Sequence, residues 1–347
     1  MTVIRICDLS DAGDRARADA FVHMHPDASP FHRPAWSVAV EQGCRQRSLF
    51  LVAERGGAIA GVLPLTAVRS RLFGNALVSA GFAVRGGVLA EDASAGDALV
   101  DAACALGERE RCGSIELRGG PVPTGWHIDA GTYVNFARPL AADDTAEMLA
   151  IPRRQRAEVR KALANDLTVE VARDAAALAI HHAVYGEMVH NLGTPVFPAS
   201  LFRAVVSAFG DDADILTVRH RGTALSSVLN IYFRGTVYPF WGGGIGAARA
   251  LRANDRMYFA LMGHARARGC TGMDFGRSKV GTGPALWKKT WGFAPDPLVY
   301  AKRAIGGGVF REINPENPKY QRRVDAWKRL PLWTAKLVGP YIARELG

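Results

Sequence analysis

Paired cysteines, metal-ligand clusters and long apolar runs are all missing from this sequence, and each absence narrows what the chain can be. Its five cysteines, Cys7, Cys44, Cys104, Cys112 and Cys270, are scattered, odd in number and without a C-x-x-C pair. A zinc site needs clustered ligands and a secreted framework needs pairs, so free thiols in a reducing compartment and no metal are expected. The opening MTVIRICDLSDAGDRARADA turns charged by Asp8 and holds no apolar run of signal-peptide length. Nowhere do about 18 apolar residues follow one another, so no bilayer span is expected. The compartment read from this is the cytoplasm.

What is present is an ordinary globular composition, 48% hydrophobic and 22% charged, which excludes a disordered chain. At 347 residues the chain exceeds the ~250–300 at which one core stops growing, so two domains are expected. Lys and Arg total 43 against 33 Asp and Glu, a net charge of +10. Such a surplus points to an anionic partner without choosing among nucleic acid, phosphate and an acidic membrane face.

The sequence also repeats itself. LVAERGGAIAGVLPL (51–65) and TVRHRGTALSSVLNI (217–231) share V-x-x-R-G-x-A-(I/L)-x-x-V-L without a gap. Each reads as strand, glycine turn, strand. Further on, ERERCGSIELRGG (108–120) matches RARGCTGMDFGRS (266–278), a charged helix end followed by a short strand carrying Glu116 or Asp274. Two matches in the same order, offset by 166 and 158 residues, indicate a duplicated domain. Strand runs, then a helix, then a return strand predict a mixed α/β sheet in each copy.

Ile151–Arg156 with VRKAL (159–163), and then MDFGRSKVGTGPALWKKTWGF (273–293), resemble the FemAB family. The closing NPENPKYQRRVDAWKRLPLWTAKLVGP (314–340) is similar to the tail of its branch associated with exosortase/PEP-CTERM systems. The resemblance implies two tandem GNAT-like acyltransferase domains, at residues 1–142 and 166–312. Between them would lie a basic interdomain helix, 143–165, and after them a basic helical tail, 313–347. It also implies transfer of an aminoacyl or other acyl group to an amine of a cell-envelope or exopolysaccharide precursor. The donor would be aminoacyl-tRNA or acyl-CoA, with no tightly bound cofactor. A lysine near the second copy's turn would take the oxyanion role, and Lys279, Lys288 and Lys289 are the candidates.

Acyl transfer to an amine needs a proton acceptor and donors at the developing oxyanion. Asp274 either accepts the amine proton or orients Arg277, whose fork suits a phosphate or carboxylate. Ser278 stands beside them as a further substrate contact, because G-R-S-K-V-G is not a nucleophile elbow. A helix is expected from Pro284, presenting Lys288 and Lys289. Arg153, Arg156 and Arg160 share a helix face, with Lys161 on a neighbouring one, as a second candidate anion site that Arg45, Arg47, Arg69 and Arg71 would extend. Trp241, with Tyr232 and Tyr238, is read as a core or cleft wall, or a stacking platform for substrate. His181, His182, Glu187 and His190 fall on an ordinary helix surface.

CoA-dependent enzymes of this fold carry R/Q-x-x-G-x-G/A before the central helix, and GGGIGAARALRANDRM (242–257) lacks it. Gly242–Gly246 are read as a turn. This weighs against free CoA as donor. Two non-catalytic readings stay open: a binder of phosphate or lipid-linked sugar in polysaccharide export, and a nucleic-acid binder. The tail, basic and interleaved with Trp327, Leu330, Trp333 and Leu337, either packs on the second domain or lies on the inner face of the membrane.

Overall fold

The computed structural model describes residues 2–70, 73–310 and 318–347; Arg71 and the tail motif at 314–317 lie outside them. In chain order the first copy holds β1 (Val3–Ile6), α1 (Ala12–Met24), α2 (Pro34–Cys44), β2 (Arg47–Arg55), β3 (Ala58–Val68), β4 (Ala76–Ser79), β5 (Leu89–Ala90), α3 (Ala93–Arg109) and β6 (Ser114–Arg118). Next come β7 (His127–Asp129), β8 (Tyr133–Pro139), α4 (Asp144–Ala150) and α5 (Arg153–Ala164). The second copy repeats the plan with β9 (Thr168–Ala172), α6 (Ala175–Leu192), α7 (Ala199–Phe209), β10 (Ala213–His220), β11 (Thr223–Phe233), β12 (Thr236–Gly244), α8 (Ala253–Ala267) and β13 (Gly272–Asp274). After it follow β14 (Ser278–Lys279), α9 (Gly283–Thr290), β15 (Pro295–Pro297), β16 (Tyr300–Ala304), α10 (Pro318–Arg329) and α11 (Leu332–Ala343).

Local chemistry starts these elements alike in the two copies. Asp11 caps α1 and Asp174 caps α6, each carboxylate accepting an amide of the first turn. Pro34 opens α2, and Pro198 stands at the cap of α7. The hairpins β2–β3 and β10–β11 close through two-residue turns with both φ positive, at Gly56–Gly57 and at Arg221–Gly222. The gapless sequence match aligns Arg55 with Arg221, whereas the turns align Gly56 with Arg221. The hairpins therefore superpose one residue out of the sequence frame.

Two mixed eight-stranded sheets result among the described residues, as expected for a duplicated α/β unit. They do not divide at one point in the chain, however. β8, inside the expected first domain, pairs with β13, β14 and β15 in the second sheet. β16, inside the expected second domain, lies between β6 and β7 in the first. The copies also share a core, in which α2 packs on α7. Trp36 meets Trp241 at 6.0 Å and Phe240 at 5.2 Å, and Phe202 meets Trp241 at 4.9 Å.

Three sequence expectations change here. Gly242–Gly244 are not a turn but the end of β12, where missing side chains let Met188, Tyr258 and Asn254 close on the strand. The stretch 143–165 is two helices broken at Pro152. His181 is not on a surface: it is fully buried against β11, and burial pushes its imidazole down to about 3. The cysteines are free, all buried except half-buried Cys104.

Candidate functional site

The site lies where two parallel strands part. In the first copy β4 and β6 stay paired along all of β4, from Ala76↔Ser114 to Ser79↔Leu117. In the second, β12 and β13 keep only Thr236↔Gly272 and Val237↔Met273 and then separate. The matching residues explain the difference. Where the first copy has Arg118, 6% exposed and donating to the carbonyls of Ala80 and Ala83, the second has Gly276 at φ +70°. A guanidinium holds one gap shut; a residue without a side chain leaves the other open. The segment after β4, Phe82–Arg85, then forms a wall of the second copy's gap.

The opening is a cavity of about 630 Å³ between β12, β13, α8 and α9, lined among others by Tyr238, Trp241, Tyr258, Asp274, Arg277 and Trp287. Asp274 ends β13. One carboxylate oxygen accepts the amide of Gly276 at 2.7 Å and the other accepts Nδ2 of Asn135 at 3.0 Å. Arg85 and Lys288 act on it through space, their own hydrogen bonds going to Asp296 and to the turn carbonyls instead. Burial pushes Asp274 above the ordinary carboxylate range, against the Gly276 and Asn135 hydrogen bonds. Asn135, 1% exposed, keeps its Oδ1 without a partner among the described residues. Tyr238 faces this group from β12, and burial together with the Asp274 charge raises its phenol. Burial likewise raises Tyr258, which packs edge-on against Phe275 at 4.9 Å.

Lys288, on α9, points back at the turn after β13. Its ammonium donates to the carbonyls of Phe275 at 2.8 Å, Gly276 at 2.9 Å and Arg277 at 3.1 Å. Three donors meet three acceptors, so the turn is fixed by one side chain. Burial lowers this lysine to about 8, with Asp274 opposing. Arg277 donates to the Tyr300 hydroxyl at 2.9 Å and lies over the Tyr133 ring at 4.7 Å. Burial works against its charge, but Tyr300 and Tyr133 outweigh it and hold the guanidinium above its ordinary value.

Arg277, with Phe82 and Phe197, also lines a second cavity of about 410 Å³ on the first copy's sheet. Glu116, the counterpart of Asp274, stands there beside Arg118 at 2.7 Å, and Lys302 reaches Asp129 at 3.3 Å. Burial opposes the charge of Glu116, but Arg118 and Lys302 hold its carboxyl below the usual range.

The remaining expected site residues are distributed as follows. Ser278 is buried beside the large cavity, and Trp241 is a buried part of its wall. Lys279 lines the second cavity, and Lys289 is exposed on the outer side of α9. Arg156 donates to the carbonyls of Leu149 and Ile151 and closes the end of α4. Lys161 pairs with Glu158 at 2.8 Å, while Arg153 and Arg160 are exposed. Neither cavity is lined by any of these four. Sequence reading missed Asn135, Tyr258 and the 82–85 wall, which carry no local signal. At the start of α8 stands Asp255, whose buried carboxylate accepts Nε2 of Gln155 at 2.5 Å. Among the described residues no cluster could hold a metal ion.

Adjacent parallel strands thus part beside the central helix α8. Residues 152–289 match the acetyltransferase (GNAT) domain family. That stretch has the GNAT fold. The two copies together have the tandem GNAT fold, similar to FemX at 16% identity and a TM-score of 0.64, covering 89% of this chain and 98% of that one. A tandem GNAT protein from the clavulanic acid biosynthesis pathway matches at 11% identity and TM-score 0.55, covering 88% and 99%. L-PGS from Bacillus licheniformis matches at 12% and 0.54, covering 91% and 97%. No curated protein sequence matches the chain.

Proposed function

We propose that the chain is an N-acyltransferase of the FemAB kind, moving an aminoacyl group onto an amine of an anionic cell-envelope or exopolysaccharide precursor. The observation that carries this is the open β12–β13 gap, with a solvent-poor Asp274 at its apex that two neutral donors hold. Its raised basicity suits it to take a proton from the acceptor ammonium. The freed amine attacks the acyl carbonyl carbon, the C–N bond forms, and the carbonyl oxygen becomes an oxyanion. Collapse breaks the bond to the leaving oxygen, which takes the proton that the attacking nitrogen sheds as the amide forms. The register of β11 against β12 slips between Leu229 and Asn230, leaving Phe240 as the extra residue of a bulge. In this reading the amide of that bulge residue is the oxyanion donor.

Lys288 is a positioning residue here, since its protons hold the turn that carries Asp274 and Arg277. Arg277 makes one side-chain hydrogen bond among the described residues, so the rest of its fork is available to an acceptor phosphate or carboxylate. Asp255 supports an aminoacyl ester over acyl-CoA as donor. An acid in the first turn of α8 occupies the helix end at which a pyrophosphate would be held. The test is incubation of the purified chain with aminoacyl-tRNA or acyl-CoA and envelope precursors. Product from the aminoacyl donor, lowered about 100-fold or more in Asp274→Asn, is expected. Undiminished turnover in that variant, or product from acyl-CoA alone, overturns the corresponding part. In Asp274→Asn the new amide can donate to Oδ1 of a flipped Asn135, so the variant keeps its fold.

A further inference from the structure

Helix α11 is inside out. Its small residues Ala335, Gly339 and Ala343, spaced four apart, face the protein and are buried. Its large apolar residues Trp333, Leu337 and Tyr341, also four apart, face outward at 71%, 64% and 60% exposure. A helix that merely covered a core would present the opposite arrangement. Nor is α11 a loose tail. The His190 ring meets the Leu330 carbonyl at 3.0 Å, Gln46 donates to the Arg344 carbonyl at 2.9 Å, and Ser70 donates to Glu345 at 2.9 Å. The outward face is thus held in place from both copies.

Its rim is basic. Lys328 and Arg329 are exposed just before the helix, the Arg344 guanidinium lies 5.1 Å from the Tyr341 ring, and Lys336 is half-buried with its stem against Gly186 of α6. The acids nearby among the described residues are Asp325 and Glu345, and Glu345 is turned onto Ser70. No helix among the described residues is long and apolar enough to cross a membrane. We infer that α11 docks the protein on the surface of an anionic lipid bilayer, with Trp333, Leu337 and Tyr341 entering the headgroup layer and the basic rim meeting lipid phosphates. Trp and Tyr partition to that boundary, and basic residues beside an apolar stripe favour acidic leaflets. A second copy of the chain is the poorer occupant, because a two-fold would set this basic rim against itself. Leu192, at the end of α6, lines the large cavity, and next to it Gly193 packs against Val324 and Lys328 of α10. The docked helices therefore lie beside the cavity mouth, where a membrane-borne substrate would arrive.

Co-sedimentation of the full chain with vesicles tests this without any turnover, so it stands or falls apart from the reaction proposed above. The chain should pellet with phosphatidylcholine–phosphatidylglycerol vesicles, and about tenfold less with phosphatidylcholine alone or in high salt. Trp333→Ser with Leu337→Ser should cut binding about tenfold or more, while Leu149→Ser, at an exposed apolar position elsewhere, should leave it unchanged. All these positions are exposed, and equal melting curves verify that the fold survives. A wild-type chain that stays in the supernatant with both vesicles overturns the inference. So does a double variant that binds as well, or a lipid-free dimer that the double variant converts to monomer.

Discussion

Lys288 and Arg277 divide the work of one turn, and their substitutions should fail differently. Lys288→Met strips three carbonyls of their donor and should cost about 1–3 kcal/mol of stability, read from the urea midpoint. Its proton gives a signed pH effect. The folded chain holds it with a value near 8, the unfolded chain near the ordinary 10.5. Between those values the unfolded state binds more proton, so this group's contribution to stability rises with pH across about 8 to 10.5. The melting difference between wild type and Lys288→Met should shift in that direction over this window. Arg277→Lys keeps the charge but loses the fork, so KM for an anionic acceptor should rise about tenfold while kcat changes little. Asp274 was legible in the sequence because it stands in the stretch that carries the FemAB resemblance, with Glu116 at the same place in the repeat. Asn135, its hydrogen-bond partner, was not, since 139 residues separate the two and nothing local marks it. Lys288 was legible as a residue of the site, but its three carbonyl partners exist only once α9 folds back over the turn.

Helices α2 and α7, counterparts in the two copies, meet where Gly43 lies against Leu201. A methyl group on Gly43 would stand 2.4 Å from the Leu201 main chain, which cannot yield as a flexible side chain can. Gly43→Ala should therefore destabilise by about 1–3 kcal/mol in chemical unfolding. At Gly243 the obstacle is the Met188 side chain at 2.9 Å, so Gly243→Ala should cost less and act mainly by crowding the cavity wall. The hairpins were readable because a glycine-bearing tip between apolar runs marks a tight turn, although the R-G pair itself is the turn only at Arg221–Gly222. The glycine run at 242–244 was misread for the same reason: a glycine that permits a turn and one that admits a neighbour look alike in sequence. The bulge at Phe240 leaves no such mark.

Across the molecule the two sheets exchange strands, β8 into the second and β16 into the first. Repeat matching revealed the duplication, yet it could not reveal the exchange, because β8 and β16 lie outside both matched segments. A fragment ending at residue 142 would lack β16, leave β6 without that neighbour and present β8 with no sheet to join. Such a fragment should be insoluble or unfolded by circular dichroism, and the intact chain should unfold in one transition seen alike by fluorescence and circular dichroism. A single exposed strand edge of this kind is a template for association between chains.

The placement of β16 also sets the order in which a ribosome can complete the molecule. β6 has emerged long before Tyr300–Ala304 is translated, a wait of roughly 10–40 s at ordinary elongation rates. During that interval the nascent N-terminal half carries an unfilled slot, so its maturation is tied to late translation, and slowing elongation over the last third of the message should lengthen its dependence on chaperones.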